Sequence, residues 1–536
     1  GSNTAESHPV LSYEIIRAVK QGAHLVIIDP RRVPLAKHAT LFLQPLPGTD
    51  IYVFLAMMHV ILREGWQDQA FIDERTEGFE DLAQSVQKVT PELAEKVSRV
   101  PAAQIEEAAR LYALGERYWG ESAFGGERGH ASILYAMGIT QRSNSTDLVR
   151  TLAGLSMLCG QVGKPSTGVN PLRGQSNVQG ACDLGALPNV YPGYQPVADE
   201  EARARMAEAW GVDRLSPDPG LTVVEMMHAV DEGRVRAMYV MGENPMLSDP
   251  NIGHVEKALR AIDFLVVQDI FLSETAELAH VVLPATSSLE KDGTFTNTER
   301  RVQLLAPILP PPGEARPDWQ ITRDIGRGLG RKLGHDGPAW DYQSTAEVMA
   351  EAARVTPSYA GIRHERLGGE GLTWPCPTED HPGAAILHVG AFARGRGRFF
   401  PVEAQLQVEQ PDEEYPLILT TGRILYHYHT GTMTRRSEGL AWRASRGYAE
   451  VNREDALKYD IRDGGMAVIT SRRGQIRTQA RVSQRVPPGV IFLSFHWREA
   501  PANLLTHDFG LDPVAKIPEY KATAVRLENP KAARQR

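Results

Sequence analysis

The densest concentration of side chains suited to chemistry lies in residues 168–195, GVNPLRGQSNVQGACDLGALPNVYPGYQ. The stretch is polar and glycine-rich and shows little periodicity. A loop of this length is either functional or disordered, and its apolar and aromatic content argues against disorder. Arg173 stands between Leu172 and Gly174, with Gln175 two residues on. A guanidinium fork on a glycine-flanked loop can grip a carboxylate or a phosphate with two parallel hydrogen bonds. The plainer alternative is a surface ion pair.

Three further clusters sit where strands are expected to end. Asp29-Pro30-Arg31-Arg32 offers a carboxylate for a ribose hydroxyl or a guanine edge and an arginine for a phosphate. A strand-end turn with solvated charges explains the same residues. Met241-Gly242-Glu243-Asn244-Pro245 and Val267-Gln268-Asp269 put Asn244, Gln268 and Asp269 on one rim. Together the three clusters suggest a large ligand with nucleotide-like parts. Tyr426-His427-Tyr428-His429 offers two imidazoles two residues apart, which share a face if the segment is a strand. Zinc is one reading, but no third ligand is close in sequence, and hydrogen bonding to a ligand is the other reading. Glu290-Lys291-Asp292-Gly293 reads as an acid/base cluster or as a solvated turn.

These clusters need a scaffold of alternating elements. Apolar spacing predicts helices over residues 13–21, 51–65, 91–97, 102–114 and 148–158, and strands over 24–28 and 132–137. The apolar run 51–62 is too short to span a bilayer and reads as a buried helix. A second α/β block follows, with strands over 235–241, 264–269 and 280–283 and a helix over 254–262. Alternation of this kind predicts doubly wound α/β domains, which bind ligands beyond the carboxyl ends of their strands. Residues 309–317 form a proline-rich crossing, and residues 335–400 read as irregular. Short strands over 417–421, 466–471, 475–482 and 489–493 predict a C-terminal β-barrel or β-sandwich.

Composition narrows the function. A chain of 536 residues predicts about three or four domains. The formal charge is −8, with 42 % hydrophobic and 23 % charged residues. That balance excludes disorder and gives no electrostatic footprint for nucleic acid. Cys159, Cys182 and Cys376 are scattered, and Cys159 and Cys182 read as small buried or loop residues. They form no disulfide framework and no self-contained zinc or iron–sulfur site. No signal peptide or twin-arginine signal is visible, so the sequence reads as cytoplasmic, with a periplasmic location left open.

Taken together, the segments resemble the large, catalytic subunit of molybdenum- or tungsten-dependent formate dehydrogenases. These belong to the oxidoreductases that use bis(molybdopterin guanine dinucleotide). The matching motifs are GSNTAESHP (1–9), IDPRR (28–32), PGTD (47–50), YAMGITQ (135–141), the 168–195 loop, MGENPMLSD (241–249), VVQDIF (266–271) and KDGTFTNTERRVQ (291–303). PDW (317–319), GRILYHYHTGTMTRR (422–436), NLLT (503–506) and PEYK (518–521) complete the series in family order.

The resemblance implies an α/β fold: two doubly wound, Rossmann-like domains related by pseudo-symmetry, plus a C-terminal β-barrel. On this reading residues 1–175 bind one dinucleotide and end in the substrate loop. Residues 176–318 bind the other, 319–404 link, and 405–536 form the dinucleotide-binding barrel. The two dinucleotides would lie between the α/β domains. One domain would use Asn3, Ser7, Asp29, Arg31, Gly48, Asp50 and Gln141. The other would use Gly242, Asn244, Ser248, Gln268, Asp269 and Asp318. The barrel would contribute Arg423, His427, His429, Asn503, Tyr520 and Lys521. Carboxylates for guanine and ribose, and arginines or backbone amides for pyrophosphate, are what such a ligand needs.

Arg173 is the sharpest implication. In the family, the arginine of the RGQ loop holds the formate carboxylate beside the metal, a positioning and electrostatic role. Gly174 and Gln175 would connect this loop to the pterin. Formate would give up a hydride equivalent and leave as carbon dioxide, and two electrons would pass to iron–sulfur clusters and their subunits. Related nitrate reductases lack an arginine at this loop position. The second reading is another member of the family, such as a nitrate reductase, and the third is a cofactor-free scaffold like the related subunit of respiratory complex I.

The sequence also departs from the family. The four cysteines for a four-iron four-sulfur cluster, and the cysteine or selenocysteine that ligates the metal, are expected upstream of Gly1 and are not in this sequence. The expectation is a partial catalytic subunit, inactive in isolation, that needs the upstream part of the same polypeptide. No metal ligand is assigned to any residue present. Residues 118–130 read as a longer connection than usual, and Arg142 stands where histidine is commoner.

Overall fold

The computed structural model describes residues 1–115, 129–334 and 340–530. Most of the long connection expected over 118–130 therefore lies outside the described residues. The chain packs as two compact units. One comprises Gly1–Leu172, Pro245–Glu256 and Ile386–Arg536, and the other Arg173–Asn244 and Lys257–Ala385. Packing thus interleaves chain segments, where the sequence division was into four consecutive stretches. Among the described residues, no helix is long and apolar enough to cross a membrane.

In the first unit, helix Asp50–Arg63 buries ten of its fourteen residues, as its continuous apolar run requires. It packs against helices Pro91–Ser98, Ala102–Leu114 and Ser145–Leu158. Two parallel strand pairs accompany it: Val26–Ile28 with Leu41–Leu43, and Ser132–Tyr135 with Gly168–Pro171. The strand expected over 132–137 stops at Tyr135, because Met137–Thr140 turns into a short helix. Gly48 makes the turn into the long helix at φ +95°, and a Cβ there would meet Gln407 Oε1 at 2.0 Å. Only glycine satisfies both demands.

The C-terminal part of this unit is a closed six-stranded barrel, settling the choice between barrel and sandwich. Around it run Leu417–Gly422, Val490–Ser494, Tyr448–Val451, Gln475–Val482, Met466–Thr470 and Thr523–Glu528. Leu419, Val451, Ile469, Ile491 and Val525 fill its interior and are fully buried.

The second unit is built on a parallel sheet of Ala237–Met241, Phe264–Asp269 and Val281–Pro284, with Phe264–Asp269 in the middle. An antiparallel sheet of Gly293–Thr296, Arg301–Leu305 and Leu372–Thr373 carries the residues that follow. The stretch read as irregular contains a helix, Thr345–Val355, capped by Ser344, whose side chain accepts from Glu347 N. Its glycine- and proline-rich surroundings concealed it. The 168–195 segment is also more ordered than a loop: it holds strand Gly168–Pro171, helix Val178–Asp183 and a small hairpin, Val190–Tyr191 with Gln195–Pro196.

Candidate functional site

In the first unit the strand-end residues meet the barrel. Asp29 Oδ1 accepts from Arg31 N at 2.9 Å. Arg31 Nε and Nη2 donate to Glu450 at 2.6 and 2.8 Å, and its guanidinium lies 3.9 Å over the Phe492 ring. The two-pronged face of Arg31 thus meets a buried carboxylate of the barrel, a partner its sequence neighbours did not reveal.

A second cluster joins the helix starts to the chain end. Asp50 accepts from Arg142 Nη2 at 2.8 Å. Glu519 lies 3.7 Å from Arg142 Nε and accepts from Ser143 N at 3.1 Å. Tyr520 N donates to Gln141 O at 3.2 Å, and Tyr520 O accepts from Thr421 Oγ1 at 2.8 Å. Lys521 Nζ donates to Thr421 O at 2.9 Å. Burial, then the nearby guanidinium groups of Arg423 and Arg142, pull the Lys521 ammonium down to about 7. Burial lowers Arg423 as well. Burial, aided by Arg423, pulls His429 down to about 4 and keeps it neutral.

The two histidines do not lie in a strand. Leu417–Gly422 ends before them, and His429 adopts φ +47°. His427 is held at both nitrogens, Nδ1 by Thr434 Oγ1 at 3.1 Å and Nε2 by Ala444 O at 2.7 Å. Its ring is a brace for the loop, which removes the shared-face geometry that a metal pair needs.

Asn3 and Asn503 carry the opposite signature. Both amide atoms of Asn3 are buried without a hydrogen bond among the described residues, although Ser7, at the end of the short helix that Asn3 precedes, is exposed. Asn503 Nδ2 donates to Leu247 O and Ser248 O, both at 2.9 Å, while its buried Oδ1 makes no hydrogen bond among the described residues. Ser248 Oγ donates to Asp249 Oδ1 at 2.9 Å. Buried amide ends of this kind are costly unless a ligand completes them.

In the second unit, Gly242 follows strand Ala237–Met241 at φ +65°, and a Cβ there would meet nothing within 4 Å. Its N donates to Gln268 O at 2.8 Å. Gln268 is fully buried, accepts from Tyr239 OH and donates to Asp318 Oδ1 at 2.7 Å. Asp318 starts helix Asp318–Leu333 and pairs with Lys291, so the Lys291 turn is tied down rather than solvated. Asp292 accepts from Thr345 Oγ1 in the same way. Asn244 is a strut: Nδ2 donates to Glu274 at 2.8 Å, and Oδ1 accepts from Thr275 N and Oγ1 at 3.2 and 2.8 Å. Asp269 Oδ1 accepts from Ile270 N at 2.6 Å. Glu243 is pushed up by burial and by the Asp269 charge.

Arg173 opens this unit and is pinned twice. Its backbone N donates to Thr298 Oγ1 at 3.0 Å and its Nε to Gln179 Oε1 at 2.8 Å. Gly174 and Gln175 follow, with Gln175 O accepting from Val178 N as helix Val178–Asp183 begins. Sequence reasoning missed Gln179, Asp183 and Glu450. The first two stand four residues apart, the spacing of one helix face, and that was the available signal. Glu450 gave none.

The donors present suit a large, polar, anionic ligand. In the first unit the buried Asn3 amide and the Asn503 oxygen await partners, and Lys521 sits between two arginines. In the second, Gly242 leaves open space beside the Gln268–Asp318 rim.

Comparison with known proteins adds to this geometry. Residues 1–327 match the family described as "Molybdopterin oxidoreductase", and residues 417–524 the "Molydopterin dinucleotide binding domain". The chain is 48 % identical over 532 residues to the F420-dependent formate dehydrogenase subunit alpha of Methanocaldococcus jannaschii, covering 98 % of this chain and 75 % of that one. It is 38 % identical to formate dehydrogenase H of Escherichia coli, covering 98 % and 72 %. An assimilatory nitrate reductase catalytic subunit of Bacillus subtilis matches at 36 % identity, covering 98 % and 73 %. Among solved structures, acetylene hydratase from Pelobacter acetylenicus superposes with a TM-score of 0.73 at 19 % identity, covering 99 % of this chain and 77 % of that one. That likeness speaks for the fold alone.

Proposed function

The chain belongs to the molybdopterin oxidoreductase family, and from that premise we propose that it is the catalytic subunit of a formate dehydrogenase. The observation that carries this reading is near-full-length identity of 48 % to a formate dehydrogenase alpha subunit. It is supported by an arginine held on the substrate loop at both its backbone and its side chain.

A molybdopterin dinucleotide carrying molybdenum or tungsten, when bound, supplies a two-electron redox centre. In the first unit Asn3, Asp29, Asp50, Gln141, Ser248, Arg423, His429, Asn503, Tyr520 and Lys521 would hold such a group, with Ser7, Arg31, Gly48 and His427 shaping the cradle. In the second, Gly242, Gln268, Asp269 and Asp318 would receive its counterpart, and Asn244 would brace their turn. Lys521 and Arg423 would meet phosphate charge, and Lys521 would take up its proton as the anion arrives.

Arg173 binds the formate carboxylate through its guanidinium, neutralises it and fixes its direction. Gly174 would let the loop backbone approach the cofactor closely, and Gln175 would join the loop to it. Formate becomes carbon dioxide, a proton and two electrons, or the reverse. A four-iron four-sulfur cluster and partner electron-transfer subunits would supply the route for those electrons.

The test is the purified holoenzyme assayed for molybdenum, tungsten and guanine nucleotide, and for formate-dependent dye reduction. Bound metal with formate oxidation is expected. A metal-loaded enzyme inert to formate but active with nitrate would overturn the substrate assignment, and a preparation without metal or nucleotide would overturn the catalytic one.

A further inference from the structure

Beneath Arg173 lies a buried polar chain that no strand-end cofactor contact uses. Gln179 Oε1 accepts from Arg173 Nε at 2.8 Å, and Gln179 Nε2 donates to Asp183 Oδ1 at 2.7 Å. Asp183 Oδ1 also accepts from Tyr194 OH at 2.8 Å, and Oδ2 from Tyr359 OH at 2.6 Å. Tyr359 OH in turn contacts Thr296 Oγ1 at 3.0 Å. Asp183 and Tyr359 are each 1 % exposed and Gln179 is 5 % exposed.

The chemistry of this chain fixes its direction. An amide side chain can present either end, and which end faces a neighbour is normally ambiguous. Here it is not. Asp183 is an acceptor, so it takes the NH2 end of Gln179 and turns the carbonyl toward Arg173. Tyr359 donates to Asp183, and burial and the Asp183 charge both push its hydroxyl up, so it keeps its proton. The supporting helix is held just as closely. A Cβ on Gly180 would meet Asn177 Oδ1 at 2.4 Å and Thr296 Oγ1 at 3.1 Å, and Asn177 Oδ1 accepts from Thr296 N.

We propose that Gln179, Asp183 and Tyr359 are positioning residues for Arg173: the Asp183 carboxylate sets the polarity of the Gln179 amide, which aims the guanidinium at the substrate carboxylate. This rests on the formate reading above. The insulating amide matters. A carboxylate placed directly on Nε would fix the arginine and also neutralise it, whereas a carbonyl fixes it without cancelling charge. Asp183 contributes from one residue further back.

Asp183→Asn tests this with nearly unchanged shape, because it replaces a carboxylate that only accepts with an amide that can also donate, so the Gln179 NH2 end loses its fixed acceptor. In the holoenzyme the KM for formate should rise about tenfold, as for loss of one hydrogen bond to a charged group, with kcat changed less than threefold. Mass spectrometry should find Arg173 modified faster by phenylglyoxal. In an Arg173→Lys background, which has no Nε to hold, the same substitution should change KM less than twofold. An equal rise in both backgrounds, or unchanged KM and labelling, overturns the proposal. If Asp183→Asn does not fold, Tyr359→Phe keeps the ring and removes one donor. It should speed labelling two- to threefold, and unchanged labelling overturns the proposal. A parent holoenzyme that ignores formate defeats the functional reading instead, and the labelling rates still decide the positioning chain.

Discussion

Two arginines, one in each unit, are held by opposite means. Arg31 is gripped on two nitrogens by the Glu450 carboxylate and covered by the Phe492 ring. Arg173 is gripped on Nε by the neutral carbonyl of Gln179, with Asp183 behind it. The first arrangement neutralises the cation as it locks it, and so fastens barrel to α/β layers. The second orients the cation through a neutral oxygen, which adds no opposing charge. A buried arginine is therefore read as structural or as substrate-facing by what holds it, and burial alone does not decide. Lys521 is a third case: a carbonyl accepts from it, two arginines crowd it, and its charge is suppressed.

The contrast can be broken in four places. The largest effect should come from Glu450→Ala, which leaves Arg31 charged and buried with only the more distant Glu6 carboxylate, 3.7 Å away, to balance it. Chemical denaturation should show a loss of about 3–5 kcal/mol, and a loss under 1 kcal/mol would mean Arg31 is not a structural clamp. Next, Arg173→Ala should lower kcat/KM for formate about 10²–10³-fold while the denaturation midpoint stays put. Equal damage to stability would erase the distinction. Third, Gln179→Glu should convert the Arg173 contact into one of the Arg31 kind and set two carboxylates against each other. Formate kcat/KM should fall about 10- to 30-fold, and steady-state kinetics that match the parent would show that neutrality at this contact is unimportant.

The smallest effect concerns Lys521 in cofactor-free protein. Its folded value of about 7 lies below the ordinary lysine value near 10.4, so between these limits the unfolded chain binds the extra proton. Stability should therefore rise with pH through this window, by at most about 1.4 kcal/mol per pH unit, and level off below pH 7, where both states hold the proton. Lys521→Met should flatten that part of a pH series of unfolding curves. An unchanged slope would assign it to other groups.

Much of the scaffold could be read from the residues because its signals are local. The run that became Asp50–Arg63 and the Val-rich Phe264–Asp269 announce themselves by apolar content. Tyr448–Val451 does not, because the residue that makes it a buried strand is Glu450, whose partner lies 419 positions away. Helix Thr345–Val355 was hidden by the glycines and prolines around it. In the candidate site, Arg173 stood out by its glycine-flanked loop, whereas its support depends on Tyr359, a residue no spacing connects to it. Motifs record what a ligand touches, and tertiary structure decides what keeps those groups in place.

The Arg31–Glu450 pair has a consequence for biogenesis. The two residues are 419 apart in the chain. At roughly 5–20 residues per second, a ribosome delivers Glu450 about 20–80 s after Arg31. Throughout that interval the first α/β layers are made, but the carboxylate that grips Arg31 on two nitrogens is not. This unit cannot be finished from the N-terminus forward. It closes only once strand Tyr448–Val451 has been made and has returned to Arg31, so the clamp is set long after the segment it fastens.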